Sequence, residues 1–162
     1  SQLIPNMADW NYGMISFGGT PHWIVHPTSP KTGLMITQEA CGDTSLSHAL
    51  RMSWDWIIKH NKKSRIIVIS DGEPTDDSKE HILELASVNN NIPIDTVGIG
   101  NSAQANLHTS FGFGGYGYDP EFLKRLSEIS GGIFCEAHSV KQLTNAIFKL
   151  SPSERKLLGS PK

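Results

Sequence analysis

The feature that most constrains this chain is a regular alternation of short apolar runs with amphipathic stretches. Arg65 to Ser70, RIIVIS, is a nearly continuous apolar run. That is the pattern of a strand buried on both faces. Ile92 to Ile99 predicts a second apolar strand, with Gly98 and Gly100 at its end, and Ile133 to Glu136 a short third one. Amphipathic segments separate them. Ser45 to His60 carries Leu46, Ala49, Leu50, Trp54, Ile57 and Ile58 at helical spacing, with Thr44 or Asp43 as its N-cap. Lys79 to Val88 repeats the pattern with Ile82, Leu83, Leu85 and Ala86. Asp119-Pro120-Glu121 opens a third helix with a cap, a proline in the first turn and an acid near the positive dipole end. Gly131-Gly132 closes it, and Ser139 to Leu150 forms a last helix with Val140, Leu143, Ile147 and Leu150 on one face.

Ahead of this series, Tyr12 to Phe17 and His22 to His26 read as two strands joined at Gly18-Gly19. After that hairpin the order is helix, strand, helix, strand, helix, strand, helix. Strict alternation predicts an α/β fold, a doubly wound, mostly parallel sheet with helices on both faces. Ligands in such sheets gather at the carboxyl ends of the strands.

The chain has 162 residues, which suits one domain over residues 1–150 and a solvated tail over 151–162. Fourteen Lys and Arg against 16 Asp and Glu leave a net charge of −2, so no basic excess attracts nucleic acid or anionic lipid. No apolar run approaches the ~20 residues of a membrane span. Cys41 and Cys135 are too few for a disulfide framework, and SQLIPNMADW lacks the pattern of a signal peptide. Both features favour a cytoplasmic setting.

The densest chemical signal is Asp71-Gly72-Glu73-Pro74-Thr75-Asp76-Asp77, directly after the RIIVIS strand. A carboxylate at a strand's carboxyl end can serve a hard cation such as Mg²⁺. Asp76 and Asp77 read as turn and cap residues of a helix-entry loop. Asp71 stands at the mouth of a buried strand, where an unpaired charge is costly, and there a functional role is favoured. Gly42-Asp43-Thr44-Ser45-Leu46-Ser47 opens the first long helix, and each hydroxyl there is by itself a cap. His48 sits one turn in. His22 and His26 lie more than ~12 Å apart along a strand and cannot chelate one ion. The stretch 111–118, FGFGGYGY, reads as a recognition loop, a lid, or a segment packed on its own sheet edge. Trp10, Trp23, Trp54 and Trp56 read as packing residues.

Together these segments resemble a von Willebrand factor A-type (vWA) domain over roughly Tyr12 to Leu150. YGMISFGG resembles the family's second strand, GDTSLSHAL its threonine motif and RIIVISDGEPTD its strand-Asp-Gly motif. IPIDTVGIG and DPEFLKRLSEISGGIFCEA resemble the closing strands and helix. The resemblance implies a non-enzymatic protein-binding module with a metal-ion-dependent adhesion site. In such a site Mg²⁺, or Mn²⁺ or Ca²⁺, joins the domain to a partner's acidic side chain. By that matching Thr44 is a hydroxyl ligand and Asp71 an acidic ligand, direct or through water. Asp43, Ser45, Gly72, Glu73 and His48 are the candidates for supporting or partner contacts.

One departure stands out. The family begins with a central strand ending in Asp-x-Ser-x-Ser, followed by a helix, and the eleven residues before YGMISF contain no such motif. The expected sheet is therefore incomplete at its centre. Either the chain is part of a longer protein, or another chain or segment supplies the strand, or the domain has repacked without metal. Two other functions compete with the binding module. A Mg²⁺-dependent phosphoryl-transfer or nuclease enzyme would use Asp71, although the nearest cations in sequence, Lys62, Lys63 and Arg65, fall at the wrong end of the strand. A metal-free structural interaction domain would use neither ligand.

Overall fold

The computed structural model describes residues 12–27, 43–100 and 117–150. The flanking segments 1–11 and 151–162, and the stretches 28–42 and 101–116, lie outside the described residues, with Trp10, Cys41, the predicted tail and most of the Gly/aromatic loop.

Strands β1 (Met14–Ser16) and β2 (His22–Val25) form the antiparallel hairpin. Ser16 pairs with His22, so the turn spans residues 17–21 rather than the Gly18-Gly19 pair alone. Gly19 takes φ +78°, a conformation open to glycine at little cost.

Helix α1 (Leu46–His60) follows and ends at Asn61, whose φ of 45° is left-handed. Its buried apolar residues Leu46, Ala49, Leu50, Trp54 and Ile57 are among those the periodicity selects, but Ile58, which it also selects, lies on the solvent side, 59% exposed. Strand β3 (Ile66–Ser70) leads to α2 (Lys79–Val88), and β4 (Ile94–Ile99) to α3 (Pro120–Ser130). Strand β5 (Phe134–Ala137) and α4 (Val140–Leu150) complete the order. Asp119 caps α3 by accepting the Phe122 N–H, and Gly131 ends it at φ +74°, both as the sequence predicts.

Strands β3, β4 and β5 form a parallel sheet in that order, with Val68 opposite Thr96 and Thr96 opposite Phe134. One face packs against α1, α2 and α3 in a core built on Leu50, Trp54, Val68, Ile82, Ile94 and Leu123. The other face carries Val97 and Ala137 against Ala146 and Leu150 of α4. Each fully buried Val, Leu or Ile among them contributes about 1.5–3 kcal/mol by leaving water. Helices therefore cover both faces of a small α/β sheet.

Asp95 interrupts the apolar run of β4 for a structural reason. It is fully buried, holds Arg65 through two bonds of 2.9 and 2.7 Å, and accepts the Ile133 N–H at 2.9 Å. One carboxylate thus ties the entries of β3 and β5 to β4. A buried charge persists only with such partners.

Burial on both faces of RIIVIS is not observed. Val68 and Ser70 are buried, but Ile66, Ile67 and Ile69 are only partly so. Among the described residues β3 is an edge strand, and the hairpin and the three-stranded sheet share no ladder. They are joined through α1 instead. Phe17 packs into the core beneath α1, and the Ser45 N–H donates to the Phe17 carbonyl at 2.8 Å.

Candidate functional site

The carboxyl end of β3 opens into the loop 71–78, and this loop is bound to the start of α1. The Thr44 N–H donates to Thr75 Oγ1 at 2.9 Å, and the Thr75 N–H donates to the Thr44 carbonyl at 2.9 Å. This reciprocal pair fixes the two segments that carry Thr44 and Asp71. The predicted ligand residues therefore belong to neighbouring loops at one end of the sheet.

Asp71 Oδ1 accepts the Glu73 N–H at 3.1 Å and the Ser70 hydroxyl at 3.4 Å. Ser70 Oγ in turn accepts the Gly72 N–H at 3.1 Å. The turn is tight because Gly72 has φ +85° and its α-carbon faces the Asp119 carbonyl without room for a side chain. The Asp119 N–H closes the contact by donating to the Asp71 carbonyl at 2.8 Å. Asp71 Oδ2 and the Thr44 hydroxyl make no hydrogen bond among the described residues. Both oxygens are hard donors of the type that suits Mg²⁺. Among the described residues no three His, Cys, Asp or Glu side chains converge as a metal centre would require.

The cap of α1 differs from the sequence expectation. Ser45 is the N-cap residue and its side chain makes no capping bond. The first N–H groups of α1 that lack a partner within the helix instead reach Asp76, 29 and 28 positions further along the chain. Ser47 N donates to Asp76 Oδ1 at 3.2 Å and His48 N donates to Oδ2 at 2.9 Å. Asp76 is thus a cap, as predicted, but of α1 rather than of the helix it precedes. Ser78 caps α2, accepting the His81 N–H at 3.2 Å. Asp77 Oδ2 accepts the Ser47 hydroxyl at 2.8 Å and contacts His81 Nδ1 at 2.7 Å. These bonds, His81 first, hold the Asp77 carboxyl below its ordinary pKa.

Lys62, Lys63 and Arg65 are not the cations near this loop. Lys79, on the first turn of α2, is. Its Nζ lies 3.0 Å from Glu73 Oε1 and 2.7 Å from Asp119 Oδ2. Partial burial alone would lower the Lys79 pKa, but the two carboxylates outweigh it and raise the value. The Asp119 carboxyl is lowered against its own burial by Lys79 and by the Phe122 N–H. Sequence reading missed Lys79 and Asp119 as neighbours of Asp71. The available signal was topological: α2 and α3 both begin at the sheet end where β3 and β4 finish.

The remaining candidates sort themselves by contact. His48 meets the site only through its backbone, and its side chain is exposed. Asp43 contributes a carbonyl to the Gly19 N–H at 3.4 Å. Tyr118, the last residue of FGFGGYGY, lies against Gly98 and Gly100 and donates to Glu136 at 2.7 Å. Burial and then Glu136 raise its pKa. For Tyr118, packing on its own sheet holds. Trp54 is core, while Trp23 and Trp56 are half-buried around His26, with His60 stacked on Trp56 at 4.2 Å.

With this geometry in place, solved structures define the fold as vWA-like. An aerotolerance-related membrane protein from Bacteroides fragilis, carrying multiple mutations to serines, superposes with a TM-score of 0.59. It is 15% identical, and the match covers 92% of this chain and 82% of that one. The conserved hypothetical protein BatB from Bacteroides thetaiotaomicron gives a TM-score of 0.55 at 15% identity, over 89% and 78% of the two chains. The SpRpn10 VWA domain gives 0.51 at 15% identity, over 93% and 75%. No protein-family model and no curated protein sequence matches the chain. At this identity the likeness is one of fold. No helix among the described residues is long and apolar enough to cross a membrane.

Proposed function

We propose that this chain is a non-enzymatic protein-binding module that recruits its partner through a divalent cation, Mg²⁺ first among them, held at Thr44 and Asp71. The partner supplies a carboxylate to the ion. The observation that carries this reading is the reciprocal Thr44–Thr75 pair, which holds the Thr44 segment beside the Asp71 loop at the carboxyl end of β3. Two protein oxygens leave most of an octahedral shell to water and to the partner, as Mg²⁺ tolerates. Further oxygens come from another chain or segment. Asp43, Ser45, Gly72, Glu73 and His48 form the surrounding rim that a partner would touch.

An enzyme of phosphoryl transfer is the weaker reading. It needs a cation free to meet phosphate, and Lys79 is engaged by Glu73 and Asp119. The test is a thermal melt in EDTA and in millimolar Mg²⁺, for the chain and for Asp71→Ala. An ion at a hundred times its dissociation constant adds about 2.7 kcal/mol, a rise of about 5–10 °C for a domain of this size. The rise is expected in the parent chain and absent in Asp71→Ala. Equal melts in EDTA and Mg²⁺ would refute the metal site and leave a metal-free interaction domain. Hydrolysis of a phosphate ester that disappears with Asp71→Ala would favour the enzyme.

A further inference from the structure

The end of β5 brings together side chains that the Asp71 loop does not use. Glu136 and His138 stand two residues apart there, and Glu136 Oε2 lies 3.8 Å from His138 Nε2. Both side chains are exposed. Each is nevertheless held from behind by a hydrogen bond to its other polar atom.

Gly98 of β4 stands opposite Glu136 in the sheet. A side chain at Gly98 would collide with the Tyr118 hydroxyl, so its absence lets Tyr118 lie over β4. From there Tyr118 donates to Glu136 Oε1 at 2.7 Å, which leaves Oε2 over. His138 Nδ1 lies 2.8 Å from the Gly100 carbonyl. A carbonyl oxygen only accepts, so Nδ1 carries the proton, and the lone pair of the neutral ring stands at Nε2. The His138 backbone is fixed as well. Its N–H donates to Gln142 Oε1 at 2.7 Å, while the Gln142 N–H donates to Ser139 Oγ at 3.2 Å.

At 3.8 Å the two remaining atoms are too far apart for a hydrogen bond. No other hydrogen bond reaches them among the described residues. An imidazole that donates its other N–H to a carbonyl, beside a carboxylate that is itself hydrogen-bonded, is the arrangement of metal-ligating side chains. Bonds from Zn²⁺ to nitrogen run about 2.0–2.1 Å and to carboxylate oxygen about 2.0–2.2 Å. Together they exceed the gap, so one ion touches both donors at a bent angle.

We propose that Glu136 and His138 bind a divalent transition metal, Zn²⁺ first among them, through Oε2 and Nε2. No third His, Cys, Asp or Glu joins the pair among the described residues, so water fills the rest of the shell. The ion is therefore exchangeable, unlike one closed in by four protein ligands. The imidazole sets this site apart from one for Mg²⁺, which keeps to oxygen. It lies on β5 and does not depend on an ion at Thr44 and Asp71.

The test is carbethoxylation of His138 by diethyl pyrocarbonate, mapped by mass spectrometry on the full chain. With Nδ1 engaged, Nε2 is the nitrogen open to the reagent. Zn²⁺ at about ten times its dissociation constant is expected to slow the reaction about tenfold, and Mg²⁺ at the same concentration to leave it unchanged. The protection should persist in Asp71→Ala, which separates the two sites. Glu136→Gln still accepts from Tyr118 but loses its charge, and should lose the protection. Tyr118 is a positioning residue. Tyr118→Phe keeps the ring over Gly98 and Gly100 without the hydroxyl, and should raise the Zn²⁺ concentration for half-protection about tenfold. An unprotected His138 in the parent chain at millimolar Zn²⁺ would overturn the proposal, whatever the variants do. So would equal protection in Glu136→Gln, which would mean zinc on a lone imidazole.

Discussion

Replacing Asp76 by Ala isolates the one contact that the sequence assigns to the wrong helix. Asp76 accepts the N–H groups of Ser47 and His48 at 3.2 and 2.9 Å, while the N-cap Ser45 contributes no side-chain bond. Loss of a helix cap costs about 0.5–2 kcal/mol, and a carboxylate at the positive end of the dipole adds about 0.3–1 kcal/mol. Asp76 is exposed, so solvent screens the charge term and the lower end applies. The expected loss is about 1 kcal/mol, or about 2–4 °C in Tm. Amide exchange should quicken at Ser47 and His48 and stay unchanged at the far end of α1. Asp43→Ala, at a cap position favoured by sequence, should move Tm by less than about 1 °C, because its side chain holds no capping bond. A Tm shift below 1 °C in Asp76→Ala with unchanged exchange at both amides would refute the reasoning. A larger loss in Asp43→Ala would do the same.

Three further outcomes are expected. Gly72→Ala forces a side chain into a φ of +85° and against the Asp119 carbonyl, so it should cost at least about 2 kcal/mol in urea unfolding; a midpoint equal to the parent's would contradict the tight turn. Arg65→Met strands the fully buried Asp95 and should cost about 3 kcal/mol, and a neutral result would mean that Asp95 is satisfied without Arg65. Asp77 and Asp119 both titrate lower in the fold than in the unfolded chain, so each adds stability above about pH 4 that is lost as pH falls through its folded value. Lys79 is shifted upward, so its contribution is full at neutral pH and lost only in strong alkali. Urea midpoints should therefore hold from about pH 5 into mild alkali and fall below pH 4; an acid limb unaltered by Asp119→Asn and Asp77→Asn would count against these ion pairs.

Much of the fold is written in local pattern. The helix positions Leu46, Leu50, Trp54 and Ile57 fall on one face because 3.6 residues make a turn, and no distant partner is needed to see this. Asp119 and Gly131 bracket α3 by chemistry internal to that helix. The apolar runs at 66–70 and 94–99 and their alternation with helices specify a parallel α/β sheet. Asp71 was legible as the residue just past an apolar strand, whereas Thr44 was legible only through the resemblance to the vWA threonine motif, since a hydroxyl before a helix is by itself a cap.

Other features depend on which residues meet across the chain. Asp76 serves α1 rather than α2 because the β3–α2 loop folds over the start of α1, a contact spanning 28 and 29 residues in sequence. Lys79 joins Glu73 to Asp119 because two helices begin at one sheet end. The apolar run at 66–70 reports that these side chains avoid water, but it cannot say on how many sides a neighbour stands. Only the assembled sheet decides that β3 has β4 on one side and, among the described residues, an open edge on the other. The physical reason is range: periodicity and caps are settled within a few residues, whereas hydrogen-bond and ion-pair partners are settled by distances in space that local sequence does not encode.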